Sequence, residues 1–219
     1  MQSRVATCFL LTSLLASGAI IDRIAIVVGA TQGSRRSIIK DSDIDRDIRF
    51  TSFLNGQALV INDDARKKAA SRLIDQIFIR REIESGDYPV ASLQQTDQQL
   101  DRLEKQKFKT HAAFLDALRR YGLTELDLRL YFQWQLTILR FIDVRFKPAV
   151  MVTNEEIEKY YRDHAEALRR QNPGKSSLDD LRAQIQEILA GEKVNQTFFA
   201  WLDEQRKNSK IRFHEESLS

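Results

Sequence analysis

The sequence is poor in the residues from which most recognisable sites are built. Among 219 residues there is one cysteine, Cys8, with three histidines, three prolines and eight glycines. One thiol excludes an intrachain disulfide and a Cys-ligated metal site. His111, His164 and His214 are far apart and form no HExxH or comparable pair, so no metal site is expected. The glycines are single and scattered, which leaves no phosphate-cradling loop, and no GxSxG motif occurs. The carboxylate pairs Asp63-Asp64, Glu155-Glu156 and Asp179-Asp180 fall where helices begin. There the helix dipole explains them better than acid–base catalysis does. The expectation is a chain with no catalytic residues, no cofactor and no metal.

The scarcity of proline and glycine also says what is present, which is long helices with few interruptions. Charged residues make up 30% of the chain, and the net charge of +3 is spread through nearly every segment. Alternating signs along helices describe a solvated surface and not a nucleic-acid groove.

Residues 1–19 read as a signal peptide. Arg4 gives a positive start, Val5 to Leu15 an apolar core too short to span a bilayer, and Ser17-Gly18-Ala19 small residues for cleavage after Ala19. Cys8 would leave with this segment, and the membrane would be met only transiently. The alternative is an uncleaved anchor, since Ile20 and Ile21 prolong the apolar run.

Beyond it, Ile21 to Val28 and Ser37 to Lys40 form a predicted hairpin around the turn residues Gly33 and Ser34. Helices are predicted from capping signals: Asp41 or Ser42 with Asp45, Asn62 or Asp63, Ser92 with Gln95, Thr110, Thr124 with Asp127, Thr153 with Glu156, and Ser177 with Asp180. Leu93, Leu100 and Leu103 are the expected core of the third helix, and Leu181, Ile185, Phe199 and Leu202 are among those of the last. Pro148 to Val152 reads as an extended hinge, and Asn172-Pro173-Gly174 marks a loop. Ser209 to Phe213 alternates like a strand, and the only edge available to it is the hairpin, so the two ends of the exported chain should meet. The fold class expected is mainly α, a multi-helix bundle with a small β-sheet made by the N-terminal hairpin and the C-terminal strand. The corresponding division is 20–148 for the helical core with its hairpin, 149–177 for the hinge, helix and short loop, and 178–219 for the closing helix and strand.

The helix from Thr124 to Lys147 stands out. Its polar residues Glu125, Arg129, Gln133, Arg140 and Asp143 share one narrow stripe, while apolar side chains cover about two-thirds of the circumference. That surface is either sandwiched among helices or offered to a partner. Leu128, Leu139 and Ile142 are the expected core members. Phe50, Phe53 and Leu54 close the first helix, and with Tyr131, Phe132 and Trp134 they are the candidate lining of a groove for extended or amphipathic segments of another chain, unless all of them are core.

Four stretches carry a family resemblance: IIDRIAIVVGA (20–30), KDSDIDRDI (40–48), RLIDQIFIRREIESG (72–86) and FLDALRRYGLTELDLRLYFQWQLTILRFIDVRF (114–146). They resemble the N-terminal chaperone domain of the SurA family, parvulin-type periplasmic foldases that escort unfolded outer-membrane proteins. VTNEEIEKYYRDH (152–164) is similar to the helix leading into that family's isomerase domain, and FFAWLDEQRKNSKIRF (198–213) to its closing helix and strand. The resemblance implies a periplasmic, ATP-independent client-binding module whose partners are unfolded or partly folded exported proteins. Where the family carries an isomerase domain, this chain has only AEALRRQNPGKS (165–176), too short for any domain, so prolyl isomerisation is not expected. Two alternatives stay open: a structural or assembly subunit, such as a homodimer made by exchanging the closing helix, and a residual isomerase.

Overall fold

A computed structural model describes residues 22–29, 36–171, 174 and 177–214. The expected signal segment, the hairpin turn, Pro173 and the tail after His214 lie outside the described residues. The chain is mainly helical with a small three-stranded antiparallel sheet.

Strand β1 (Ile24–Gly29) is central, flanked by β2 (Ser37–Lys40) and by the last strand, β3 (Lys210–Phe213). Ile26 pairs with Ile39 on one side and Phe213 on the other, so the two ends of the described chain meet in one sheet. The β-branched run IAIVV favours extended backbone, and it survives because helices cover one face, burying Ile26, Val28 and Ile39.

Seven helices follow: α1 (Asp41–Asn55), α2 (Asp63–Ser85), α3 (Leu93–Lys107), α4 (His111–Arg120), α5 (Glu125–Arg145), α6 (Asn154–Gln171) and α7 (Leu178–Lys207). Their starts follow the sequence signals: Asn62, Ser92, Thr110, Thr124 and Ser177 each accept a backbone N–H of the first turn. The first helix differs. It starts one residue early, at Asp41, and the Asp43 carboxylate accepts the Lys40 N–H. Ser42 does not cap it; its N–H and hydroxyl both donate to Asp22, at 3.2 and 2.5 Å, tying the chain ahead of β1 to the helix. Gly56 and Gly122 close α1 and α4 with φ of 65°, a backbone region where a Cβ is strained.

The side chains form three apolar clusters. The first joins the sheet, Ile44 and Ile48 of α1, α2, the end of α5 and the second half of α7 around Phe141, Ile26 and Ile74. The second gathers Phe50 and Phe53 of α1 with α3, α4 and the first half of α5, around Phe114 and Leu128. The third is small: Ile157, Leu168, Leu181 and Ile185 hold α6 against the first half of α7. Helix α5 therefore belongs to two cores at once, which takes up part of its wide apolar arc.

Several expectations are corrected. Leu93 and Leu139 were expected in the core and are 60% and 59% exposed. Phe199 is 60% exposed, and its neighbour Phe198 is the buried one. Part of the polar stripe of α5 points inward instead. Thr137 beside it accepts the Ala91 N–H, Gln133 donates to the Ala91 carbonyl, and Arg129 pairs with Asp97 at 2.7 Å. With α3 and its leading segment bound through polar groups there, apolar Leu126 and Leu130 are left at the surface. The expected hinge is a turn of 3-10 helix at Lys147–Ala149, where Pro148 fits because an N-terminal helical position needs no N–H; only the residues after it are extended.

Candidate binding cleft

The six residues proposed from sequence are not gathered in one place. Phe50, Phe53 and Phe132 are buried in the second core, with Leu54 and Tyr131 packed at its edge, and Trp134 lies against the first. Phe50 and Tyr131 nevertheless reach a surface cleft of about 300 Å³. Its walls are β2 (Ile38, Ile39), α1 (Asp43, Arg46, Asp47, Phe50) and α2 (Leu73, Gln76, Ile77, Arg80), with Tyr131 of α5 beside them. Phe53 instead lines a second hollow between α1 and α4, with Leu59, Phe108 and Tyr121.

The local causes are readable. Helix α1 leaves β2 directly, so Ile39 and Asp43 are held close by chain continuity. Tyr131 stacks on Phe50 with ring centroids 4.6 Å apart, which fixes the tyrosine over the end of the cleft. Trp134 supports the α2 wall from behind. Its Nε1–H donates to Gln76 at 3.0 Å, and the Arg80 guanidinium lies 4.1 Å from its ring centroid.

One buried charge sits in this wall. Asp47 is 7% exposed and accepts two bonds from Arg72, both on Oδ2. Burial raises its pKa, and the Arg72 hydrogen bond and charge offset part of that rise. Among the described residues no buried side-chain polar atom lacks a partner. Tyr131 is pushed up as well, first by burial and then by the Asp47 charge, which keeps its hydroxyl a donor.

No protein-family model and no curated sequence matches the chain. What the cleft can do must come from its own chemistry. Apolar side chains with two carboxylates, a phenol and two arginines among them suit reversible binding of a mixed apolar and polar ligand. Among the described residues no group of three or more His, Cys, Asp or Glu is placed to hold a metal ion, and no helix is long and apolar enough to cross a membrane.

The sequence reading missed Ile38, Leu73, Ile77, Arg46 and Arg80 as lining. Ile38 carried a signal, since in the SIIK strand one isoleucine must face away from the core. The arginines carried none, because every helix of this chain has such charges.

Proposed function

We propose that the chain is an ATP-independent chaperone of the periplasm that holds unfolded or partly folded exported proteins, outer-membrane proteins among them, without prolyl isomerase activity. The observation that carries this reading is the cleft beside β2, where half-exposed Ile38 and the apolar side chains Ile39, Phe50, Leu73 and Ile77 lie next to a strand edge that no described residue pairs with. A client would gain from apolar burial, at about 25 cal/mol per Å², and would lose the entropy of ordering its chain, so binding is weak and reversible. The SurA-like stretches named above support the same reading. So does the link between α6 and α7, which is limited to residues 172–177 and leaves no room for an isomerase domain.

Light scattering tests it: the chain in stoichiometric excess should suppress aggregation of an unfolded outer-membrane protein diluted from urea. No suppression would count against the proposal. A second reading, a fixed partner or a second copy, is favoured by the exposure of Met151 (81%) and Phe199 (60%). Sedimentation separates the two, since a tight dimer indifferent to clients belongs to the second.

A further inference from the structure

Among the described residues the sheet order leaves β2 with a neighbour on one side only. Its pairing shows what the free side offers. The Ala25 carbonyl accepts the His214 N–H on the β3 side of β1. Antiparallel alternation then directs Ile26 and Val28 toward β2, where they meet Ile39 and Ser37. Ile38, between those two, turns its amide and carbonyl to the open edge, and both Ile38 and Ile39 line the cleft. The edge is therefore one wall of a hollow whose floor is apolar, the arrangement that accepts an added strand.

Charge indicates what that strand carries. Asp47 is paired with Arg72, whereas exposed Asp43 accepts only the Lys40 backbone N–H and keeps its charge. Arg46 reaches Asp127 only at 3.9 Å with its side chain 65% exposed. Exposed Arg80 has a stacking contact with Trp134 but no carboxylate partner among the described residues. Of the two rim arginines, Arg80 is the one without a carboxylate partner among the described residues, and it marks the place for an acidic side chain.

We infer that the cleft binds an extended polypeptide segment of an unfolded protein as a fourth strand on the β2 edge, apolar side chains inward and an acidic side chain opposite Arg80. This rests on the chaperone reading and specifies the mode and preference of binding. Main-chain pairing with Ile38 sets the register.

Fluorescence anisotropy on the full chain tests it, with labelled peptides of about ten residues that alternate Val or Ile with one variable position, Asp, Asn or Lys. The Asp peptide should bind about three- to fivefold tighter than the Lys peptide, the range of an exposed ion pair. Arg80→Gln should erase that preference and Arg80→Lys should keep it. N-methylation of alternate amides, tried in both registers, should weaken binding roughly tenfold or more in one of them. Equal binding of the three peptides, a preference that survives Arg80→Gln, full affinity of both N-methylated peptides, no peptide binding at all, or a concentration-dependent dimer that blocks the peptides would each overturn the inference. Suppressed aggregation without these peptide effects would leave the chaperone reading and remove this one. The converse result would do the opposite.

Discussion

The first and second cores solve one problem from different parts of the chain. The second is assembled from residues between Phe50 and Phe132, by α1 and, beyond α2, the consecutive helices α3, α4 and α5. The first needs Ala25 and Leu202 in one cluster, with Ile211 packed on it, and it is closed by a strand that pairs across nearly the whole described chain. Nearby segments lose little entropy on meeting, whereas remote ones lose more and do so late. The comparison teaches that the two cores are joined by shared helices: α1 gives Ile44 and Ile48 to the first and Phe50 and Phe53 to the second, and the first half of α5 fills the second core while its second half fills the first.

The largest effects should come from the two fully buried phenylalanines. Phe141 meets Tyr88, Phe146 and Trp201 in the first core, and Phe114 meets Phe53 and Phe108 in the second. Replacing either by Ala should cost about 3–5 kcal/mol in urea unfolding. Because α5 is continuous, tryptophan fluorescence and far-ultraviolet circular dichroism should still report one transition. Two separated transitions in the Phe114→Ala protein would show that the cores are independent.

Deleting residues 209–219 should cost less, about 1–3 kcal/mol, since it removes β3 and the partly buried Ile211. Hydrogen exchange should quicken in β1 while α3 and α4 keep their protection. Equal loss in both regions would break the distinction between a remote and a local core.

At the start of α5, Thr124→Ala should cost about 1 kcal/mol by removing the cap. Its pH dependence has a defined sign. The Thr124 hydroxyl first, then the Thr124 N–H and the Arg46 charge, hold Asp127 below the ordinary aspartate value of 3.8 against some desolvation. The stability this contributes is full above the unfolded value and is lost as pH falls through the folded one, so the gap between parent and variant should narrow below about pH 3.8. Thermal melts at pH 7 and pH 3 would show it, and an unchanged gap would mean that the carboxylate takes no part in the cap.

The smallest effect belongs to Leu139, which sits on the same helix as Phe141 but is exposed. Leu139→Ser should change stability by less than about 0.5 kcal/mol. A loss near that of Phe141→Ala would place Leu139 in a core.

Much of this architecture was legible residue by residue. Thr124 with Asp127, Ser92 with Gln95 and Ser177 with Asp180 each form the reciprocal cap that their spacing announces, because a cap is closed within four residues. The strand at Lys210–Phe213 was legible too, since five alternating residues need an edge. Ser42 was misjudged because its partner, Asp22, comes from outside the helix. The site was less legible: Phe50 and Tyr131 were found by their aromatic character, but the cleft they enter is made with Ile38, Leu73 and Arg80, whose types are common along the chain.

By itself the sequence determined which residues share a helix face, where most helices begin, and that the last strand must return to the first. Tertiary structure alone decided which face each neighbour covers. A 100° step places Phe198 and Phe199 on adjoining parts of one surface, and only the packing of α7 against Phe146, which Phe198 meets, makes the first core and the second exposed. For the same reason the polar stripe of α5 turned partly inward. Periodicity groups side chains by angle, whereas burial depends on what lies opposite, and here Ala91 and Asp97 offered hydrogen bonds that an apolar neighbour does not.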